Sequence, residues 1–214
     1  MSLPFSVKLI DQSGNGFDCV ATLTQAQFTT LKNAGYSHAL RDCIGQTDTA
    51  WISDVTAALN AGLSVAIYQG SYSGMWSDLS LASSRAQQAI SRAKLVDYPQ
   101  YGTIWLNVED IGSNSHQQII NWINTWSKAI RDAGYGAGVY CGCNTLTGDE
   151  YYYDLAYVTH YWENCSSACQ QVLPVRGYEI KQTACNKSIS GIIVDTDYLT
   201  VDNLGQYPEG MIKA

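Results

Sequence analysis

The chain has 214 residues, of which 46% are hydrophobic and 14% are charged, and its formal net charge is −7. This length and hydrophobic content suffice for one domain with a substantial core, so we expect a single monomeric domain over residues 1–214, with two small domains as the alternative. The negative charge and the lack of a basic stripe argue against nucleic acid as a partner. No apolar run approaches the roughly 18 to 20 residues of a membrane-spanning helix, so we expect no membrane partner either.

The cysteine content favours an oxidising compartment. Seven cysteines are many for a cytosolic enzyme of this size, and we expect most of them to form disulfides or to lie in the core. Zinc is the competing explanation, but Cys141-Gly-Cys143 and Cys165-x-x-x-Cys169 lack the paired spacing of zinc ribbons. We therefore predict no metal and no cofactor, and a secreted protein or one of the lysosomal or phagosomal lumen. The stretch from Met1 to Ile10 lacks the apolar region and the cleavage site of a signal peptide. A mature secreted protein in which a new start replaces the signal peptide would lack them too.

The predicted elements alternate between strands and helices along most of the chain. Strands are predicted at residues 16–21, 37–43, 63–68, 103–110 and 136–141, and then at 156–162, 177–183 and 190–198. Helices are predicted from the N-cap Thr24 to Gly35, over Thr49 to Asn60, over Ser80 to Leu95, and from Asn114 to Gly134. A short helix is predicted over residues 145–154. No convincing long helix separates the last two strands.

Five βα units followed by three strands predict an α/β fold, a shortened TIM-like barrel whose late helices are reduced. An open doubly wound sheet is the alternative. It would need a phosphate-binding loop after the first strand, and the stretch from Asp18 to Thr22 has no glycine for that turn.

The stretch Thr103 to Asp110 is an apolar, β-branched strand that ends in carboxylates. Because side chains alternate along a strand, Asn107 and Glu109 share one face, roughly 6.6 Å apart along the chain, while Asp110 points to the other face. Apolar surroundings raise the pKa of a carboxyl group. This makes Glu109 a candidate general acid near neutral pH. The alternative is that these acids only mark the end of a strand that turns into a polar loop.

Function in a parallel barrel gathers at the carboxyl ends of the strands, and polar and aromatic residues collect there in this sequence. Acids perform glycosidic chemistry, aromatic rings pack on sugars, and amides bind hydroxyl groups, so this mouth suits a carbohydrate. Trp76 lies in a loop rich in glycine and serine, and the sequence does not decide whether its side chain contacts a ligand or packs against the protein. Trp105, Trp126 and His160 are expected to be structural. The mouth residues are Asp18, Arg41, Asp42, Tyr68, Gln69, Asn107, Glu109, Tyr140, Trp162, Glu163, Gln182, Asp195 and Asp197.

Five motifs in order resemble the lysozymes of glycoside hydrolase family 25, which are muramidases of the Chalaropsis type. They are Gly16-Phe17-Asp18, the strand from Ile104 to Glu109, Gly138-Val139-Tyr140, Tyr161-Trp162, and Lys181-Gln182 followed by Gly191 to Asp195. The resemblance covers about residues 16 to 205. A related bacterial group of glycoside-hydrolase-like domains of uncharacterised activity shares the same strand pattern and is the nearest competing assignment.

The resemblance implies hydrolysis of the β-1,4 bond between N-acetylmuramic acid and N-acetylglucosamine in peptidoglycan or a related N-acetylated polysaccharide, a cell-wall-degrading and antimicrobial activity. It assigns Glu109 as general acid, and Asp18 and Asp195 as carboxylates that orient the sugar. Tyr68, Tyr140 and Trp162, together with Gln182 and Arg41, complete the predicted substrate-binding set.

The sequence departs from the family at Asn107, where the resemblance implies aspartate. An amide can act neither as nucleophile nor as base, which excludes double displacement through this position. If the acetamido oxygen of the substrate attacks the anomeric carbon, Asn107 can still hold that group by a hydrogen bond, with reduced activity as the expected result. The alternative is a weakened or inactive barrel that binds N-acetylated glycans, and a third possibility is an interaction barrel without a glycan site.

Overall fold

The computed structural model describes residues 2–71, 74–150, 154–166 and 176–214. Ten strands occur in these residues. They are β1 Val7–Ile10, β2 Gly14–Cys19, β3 His38–Asp42, β4 Ser64–Gln69, β5 Thr103–Val108, β6 Gly136–Cys141, β7 His160–Glu163, β8 Ile180–Ile189, β9 Ile192–Leu199 and β10 Gly210–Lys213. Eight of them, β2 to β9, close into a barrel in the order β4-β3-β2-β9-β8-β7-β6-β5 through a final pairing of β4 with β5.

The barrel is mixed because β9 runs against both of its neighbours. It pairs antiparallel with β2 and with β8, whereas the other barrel pairings are parallel. We expected side chains to reach the mouth from the carboxyl ends of strands, which holds for the lining residues of β2, β4, β5, β6 and β7, whereas Gln182 is the third residue of β8. Asp195 instead reaches the mouth from the amino-terminal half of β9, where it pairs with Asp18 of β2.

Four α-helices in the described residues cover the outside of the barrel: α1 Gln25–Asn33, α2 Asp48–Asn60, α3 Ser80–Leu95 and α4 His116–Asp132. The predicted N-cap Thr24 is confirmed, since its hydroxyl accepts from the backbone N–H of Gln27 in a capping box, and Ser115 caps α4 in the same way. The shortened α/β barrel is thus the observed fold. The fifth helical segment that we predicted, residues 145–154, contains residues 151–153, which lie outside the described residues.

Strands β1 and β10 were missed by the sequence analysis. They pair with each other in antiparallel fashion, and β10 joins the outside of β4 through Met211 and Val65. Each has only four residues, too few for a clear period-two pattern, and the partners lie at opposite ends of the chain.

Strand alternation produces two separate cores. One apolar set faces inward and fills the barrel, while a larger set faces outward against the helices. The inward set consists of Leu40, Ala66, Tyr68, Trp105, Tyr140, Trp162, Ile180 and Leu199. Aromatic residues of this set form the floor beneath the mouth.

Most of the described cysteines are in disulfides or in the core, as we predicted. Cys165 is bonded to Cys185, and Cys143 is also in a disulfide. Cys19, Cys43 and Cys141 carry thiols, the last two within the core, whereas Cys169 lies outside the described residues. Among the helices of the described residues, none has the length and apolar character needed to cross a membrane.

Candidate active site

A small cavity of about 50 Å³ opens at the barrel mouth, beside the pairing of β2 with β9. Eight of the nine residues that we predicted for the site line it, while Arg41 does not. The lining residues are Asp18, Tyr68, Asn107, Glu109, Tyr140, Trp162, Gln182 and Asp195. The structure brings these side chains together, and their chemical roles stay predictions.

Asn107 and Glu109 lie on one face of the β5 end, as the alternation of the strand predicts. The Asn107 Nδ2 donates to Glu109 Oε2 at 2.9 Å. Burial raises the pKa of Glu109 above its ordinary value, and the nearby carboxylates of Asp110 and Asp195 add to the rise, while the Asn107 hydrogen bond opposes it. A carboxyl group in this state keeps its proton to higher pH, as a general acid requires.

The buried side-chain oxygen of Asn107 has no hydrogen-bond donor among the described residues. Its amide nitrogen already faces Glu109, so the oxygen points away from that carboxyl group. An unsatisfied buried acceptor is destabilising by about 1–3 kcal/mol unless a donor reaches it. Asn107 therefore lines the cavity with a side chain whose buried oxygen still lacks a donor among the described residues.

Trp76 and Gly142 hold Glu109 in place, and the sequence analysis had assigned neither of them to the site. The indole Nε1 of Trp76 donates to the Glu109 backbone oxygen at 2.8 Å, and the Trp76 ring packs edge-on to Trp122 at 4.9 Å between centroids. Trp76 is only 2% exposed, so its role is packing, not ligand contact. Gly142 lies against the Glu109 side chain, where an added Cβ would come within 2.8 Å of Glu109 Cγ.

Asp18 and Asp195 are neighbours across the β2–β9 pairing, and Gln182 of β8 links them. Its Nε2 donates to Asp18 Oδ2 at 3.2 Å and to Asp195 Oδ2 at 3.3 Å, while its Oε1 accepts from the Tyr140 hydroxyl at 3.0 Å. The backbone N–H of Asn186 donates to the other oxygen of Asp195 at 2.5 Å. Four barrel strands, β2, β6, β8 and β9, thus meet in one hydrogen-bonded group.

Asp197 lies one layer deeper than Asp195 and is 2% exposed. The Trp162 Nε1 donates to its Oδ1 at 3.0 Å. Burial raises the pKa of Asp197 well above its ordinary value, and the charge of Asp18 adds to the rise. The pKa of Asp18 is itself raised to about 7 by burial and by the Asp195 carboxylate, against the hydrogen bonds from Gln182 and Asp197. The sequence analysis favoured Asp195 of the two acids, and Asp195 is the one that lines the cavity.

The three predicted aromatic residues form the floor of the cavity. Trp162 packs edge-on against Tyr140, Tyr68 and Trp105, with ring centroids 5.1 to 6.1 Å apart. Each of these rings is at least nine-tenths buried, so only a small part of Tyr68, Tyr140 and Trp162 borders the cavity. Contact with a sugar would therefore use ring edges and the Tyr140 hydroxyl region, not a broad exposed platform.

Arg41 corrects the predicted substrate-binding set. It alternates with the inward-facing Leu40, is 0% exposed, and pairs through Nε with Asp54 of α2 at 2.8 Å. Its other nitrogens donate to the backbone oxygens of Cys19 and Ala21. Arg41 therefore holds the loop after Asp18 from outside the barrel and does not line the cavity.

No three His, Cys, Asp or Glu side chains in the described ranges are arranged to hold a metal ion. His160 is buried beside Glu179, with 3.3 Å between Nδ1 and Oε1, and its ring packs edge-on to Trp105. It lies below the floor of the cavity and outside its lining, in a structural position.

Comparison with known proteins identifies the family. The profile of the Rv2525c-like, glycoside hydrolase-like domain matches residues 29–204. The crystal structure of an uncharacterised protein from B. stearothermophilus superposes with a TM-score of 0.66 at 16% identity, covering 87% of this chain and 95% of that one. This likeness concerns the fold alone.

A partial likeness to a native Bacteroidetes-affiliated GH5 cellulase linked with a polysaccharide utilization locus has a TM-score of 0.36 at 20% identity, over 56% of this chain and 44% of that one. A search of curated proteins finds no significant match. The family match supports a glycoside-hydrolase-like barrel domain, the competing assignment that the motifs left open, and does not support glycoside hydrolase family 25 specifically. On the strength of a match that spans most of the sequence, the chain belongs to the Rv2525c-like family of glycoside hydrolase-like domains.

Proposed function

We propose that this protein is a lysozyme-type glycosidase that cleaves the β-1,4 bond between N-acetylmuramic acid and N-acetylglucosamine in peptidoglycan or a related N-acetylated polysaccharide. The observation that carries the proposal is the pairing of Glu109, whose pKa is raised by burial, with Asn107 at the cavity. The raised pKa provides a proton donor for the leaving group. The Asn107 oxygen, which has no donor among the described residues, provides an acceptor for an acetamido N–H.

The mechanism that fits these groups uses the substrate as its own nucleophile. Glu109 transfers its proton to the glycosidic oxygen, and the C1–O bond breaks as the acetamido carbonyl oxygen bonds to the anomeric carbon. Water then attacks the anomeric carbon of this cyclic cation and loses its proton to the Glu109 carboxylate, which regenerates the acid and retains the anomeric configuration. Asn107 accepts the acetamido N–H and so orients the attacking oxygen.

Asp195 supplies negative charge at the same mouth, and Asp18 adds to it once the pH exceeds its raised pKa of about 7. A carboxylate near a developing cation lowers the energy of the transition state when the site is closed from water. The amide of Asn107 carries no such charge, so we expect a lower rate than an aspartate at this position would give.

The test is the loss of turbidity of a peptidoglycan suspension. We expect the wild-type protein to clear it and Glu109→Gln to be slower by at least about 100-fold, the contribution typical of general acid catalysis. Asp132→Asn, a change at an exposed acid on α4, is the matched control and should clear it like the wild type. Equal rates for the wild type and Glu109→Gln would remove Glu109 from the mechanism.

The second candidate function is a barrel that binds N-acetylated glycans without cleaving them, and the observation that favours it is Asn107 in place of aspartate. The variant Asn107→Asp separates the two. A large gain in turnover at unchanged glycan affinity supports a weakened enzyme. No gain, together with saturable binding of N-acetylglucosamine oligomers, supports the binding barrel, and no binding at all leaves only an interaction barrel.

We also propose that the protein acts as a secreted monomer or in a lysosomal or phagosomal lumen. The Cys165–Cys185 disulfide supports an oxidising compartment, where such bonds persist. Fractionation of the source cells and sedimentation of the purified protein test the location and the monomeric state.

A further inference from the structure

The side-chain amide of Gln182 already makes hydrogen bonds to protein groups through both its nitrogen and its oxygen. A substrate-binding amide would keep some of these groups free for the substrate. The Gln182 Nε2 donates to Asp18 and Asp195, its Oε1 accepts from Tyr140, and the Cys185 sulfur lies 3.5 Å from the same oxygen. The side chain is 7% exposed. Both amide hydrogens are therefore committed to protein carboxylates.

We propose that Gln182 is a positioning residue that holds Asp18 and Asp195 together as a pair of carboxylates at the mouth, instead of the substrate-binding residue that the sequence suggests. The relevance of this role to catalysis rests on the proposed function, whereas the role itself concerns only these protein groups.

The orientation of the amide is set by its neighbours. The Tyr140 hydroxyl donates to Gln182 Oε1, and the NH₂ group is turned toward the two acids. The reverse orientation would place Oε1 against two carboxylate oxygens, which is unfavourable, although the Tyr140 hydroxyl could then accept from the amide. Tyr140, Gln182 and the acids thus have one favourable arrangement.

The backbone at Gln182 is also held. Gln182 pairs with Asp197 of β9, and the register of β8 shifts between Gln182 and Ala184, as in a β-bulge. Cys185, next to this irregularity, is bonded to Cys165. A β-bulge changes the direction of the side chain beside it. Here the Cys165–Cys185 disulfide anchors β8 next to that irregularity.

The charges around Asp18 explain why an amide is needed there. Among the described titratable groups that interact with Asp18, Cys19 and Tyr68 also interact with a cation, the outward-facing Arg41, and the carboxyl and phenol groups themselves bring no positive charge. Without a donor, a second carboxylate beside Asp195 is unfavourable. The interacting groups are Asp195 and Asp197 on β9, Glu109 at the end of β5, Tyr140 on β6, Tyr68 on β4 and Cys19 on β2.

The experiment is a titration of Asp18 in the ligand-free protein, followed by NMR of ¹³Cγ-labelled aspartate. Asp18→Asn identifies the resonance by deleting it. In Gln182→Met, which keeps the size of the side chain and removes its donors, we expect the Asp18 midpoint to rise by about one pH unit, because the lost hydrogen bond stabilised the ionised form. Tyr140→Phe, which frees the amide to turn, should raise it less.

Gln88→Met on α3 is the control, with a side chain remote from the mouth, and should leave the midpoint unchanged. An unchanged Asp18 midpoint in folded Gln182→Met overturns the proposal. If Gln182→Met does not fold, an unchanged Asp18 midpoint in Tyr140→Phe overturns the proposal.

The outcome is independent of the proposed function, since no substrate enters the titration. A wild-type protein that clears no peptidoglycan would defeat the proposed function and leave this result standing. If the wild type is active, the acidic limb of kcat/KM should move to higher pH in Gln182→Met, because ionised Asp18 is then formed at higher pH.

Discussion

Gly142 and Glu109 are in direct contact, with the Gly142 backbone filling the space in which any side chain would press on the proposed acid. A Cβ at residue 142 would come within 2.8 Å of Glu109 Cγ and 3.1 Å of Glu109 Oε1. The position of the carboxyl group therefore depends on the absence of a side chain on the neighbouring strand end.

Gly142→Ala should displace Glu109 and reduce hydrolysis by about 100-fold, since a misplacement of about 1 Å can have that effect on a positioned catalytic group. The backbone of Gly142 is outside the left-handed region, so alanine adds no backbone strain. We expect the thermal midpoint to change little. Clearing rates and circular dichroism melts of both proteins check this, and a fully active variant would show that Glu109 tolerates the shift.

The pH dependence of hydrolysis should have a basic limb set by Glu109. The general acid must be protonated, so activity falls as the pH rises through its raised pKa. In Asn107→Asp the hydrogen bond that lowers this pKa is lost and a like charge is added, so the limb should move to higher pH. Rate profiles of the two proteins measure it, and a limb displaced to lower pH would contradict the assignment.

Asp18 should make the folded state less stable as the pH rises. Its pKa is about 7 when folded, against an ordinary value of 3.8, so between these pH values the folded chain holds a proton that the unfolded chain has released. Three pH units correspond to roughly 4 kcal/mol, and because Asp18 is half-buried we expect about 2 kcal/mol.

Asp18→Asn should accordingly unfold at higher urea concentration than the wild type at pH 8 and show little difference at pH 4. Asp132→Asn, at an exposed acid, is the control and should not alter this dependence. A wild-type stability that rises between pH 4 and 7 while that of Asp18→Asn does not would reverse the sign and contradict the raised pKa.

Arg41→Met should destabilise the fold by about 3–5 kcal/mol, because it leaves the Asp54 carboxylate buried without its partner. The double variant Arg41→Met/Asp54→Leu should recover part of this loss, since no charge then stays buried alone. Urea unfolding of the two variants gives the comparison. If the single variant bound glycan more weakly at full stability, Arg41 would contact substrate after all.

Removal of the Cys165–Cys185 disulfide by the double change to alanine should reduce the free energy of unfolding by about 3 kcal/mol, given its sequence separation of 20. Because the bond lies beside Gln182, we also expect weaker glycan binding in the folded variant. Cys43→Ala, at a buried thiol in the core, is the control that should leave binding unchanged. Calorimetric melts and binding isotherms measure the two effects.

Local patterns in the amino-acid sequence were enough to predict the barrel, most of its elements and the strand that carries Asn107 and Glu109. Alternating and helical periodicities are local, so helix α3 falls on the predicted residues 80–95, and the alternation of β5 correctly places both polar side chains on one face. The acids and aromatic residues at strand ends were identified for the same reason, because parallel strands bring their carboxyl ends to one mouth.

The tertiary structure alone decided which of these residues meet and what each one touches. The antiparallel direction of β9 brings Asp195 beside Asp18, and the outward face of β3 takes Arg41 away from the cavity to Asp54. Gln182 was identified as a site residue but not as a bridge between two acids. Such relationships depend on strand order, direction and register across distant parts of the chain, which no local pattern encodes.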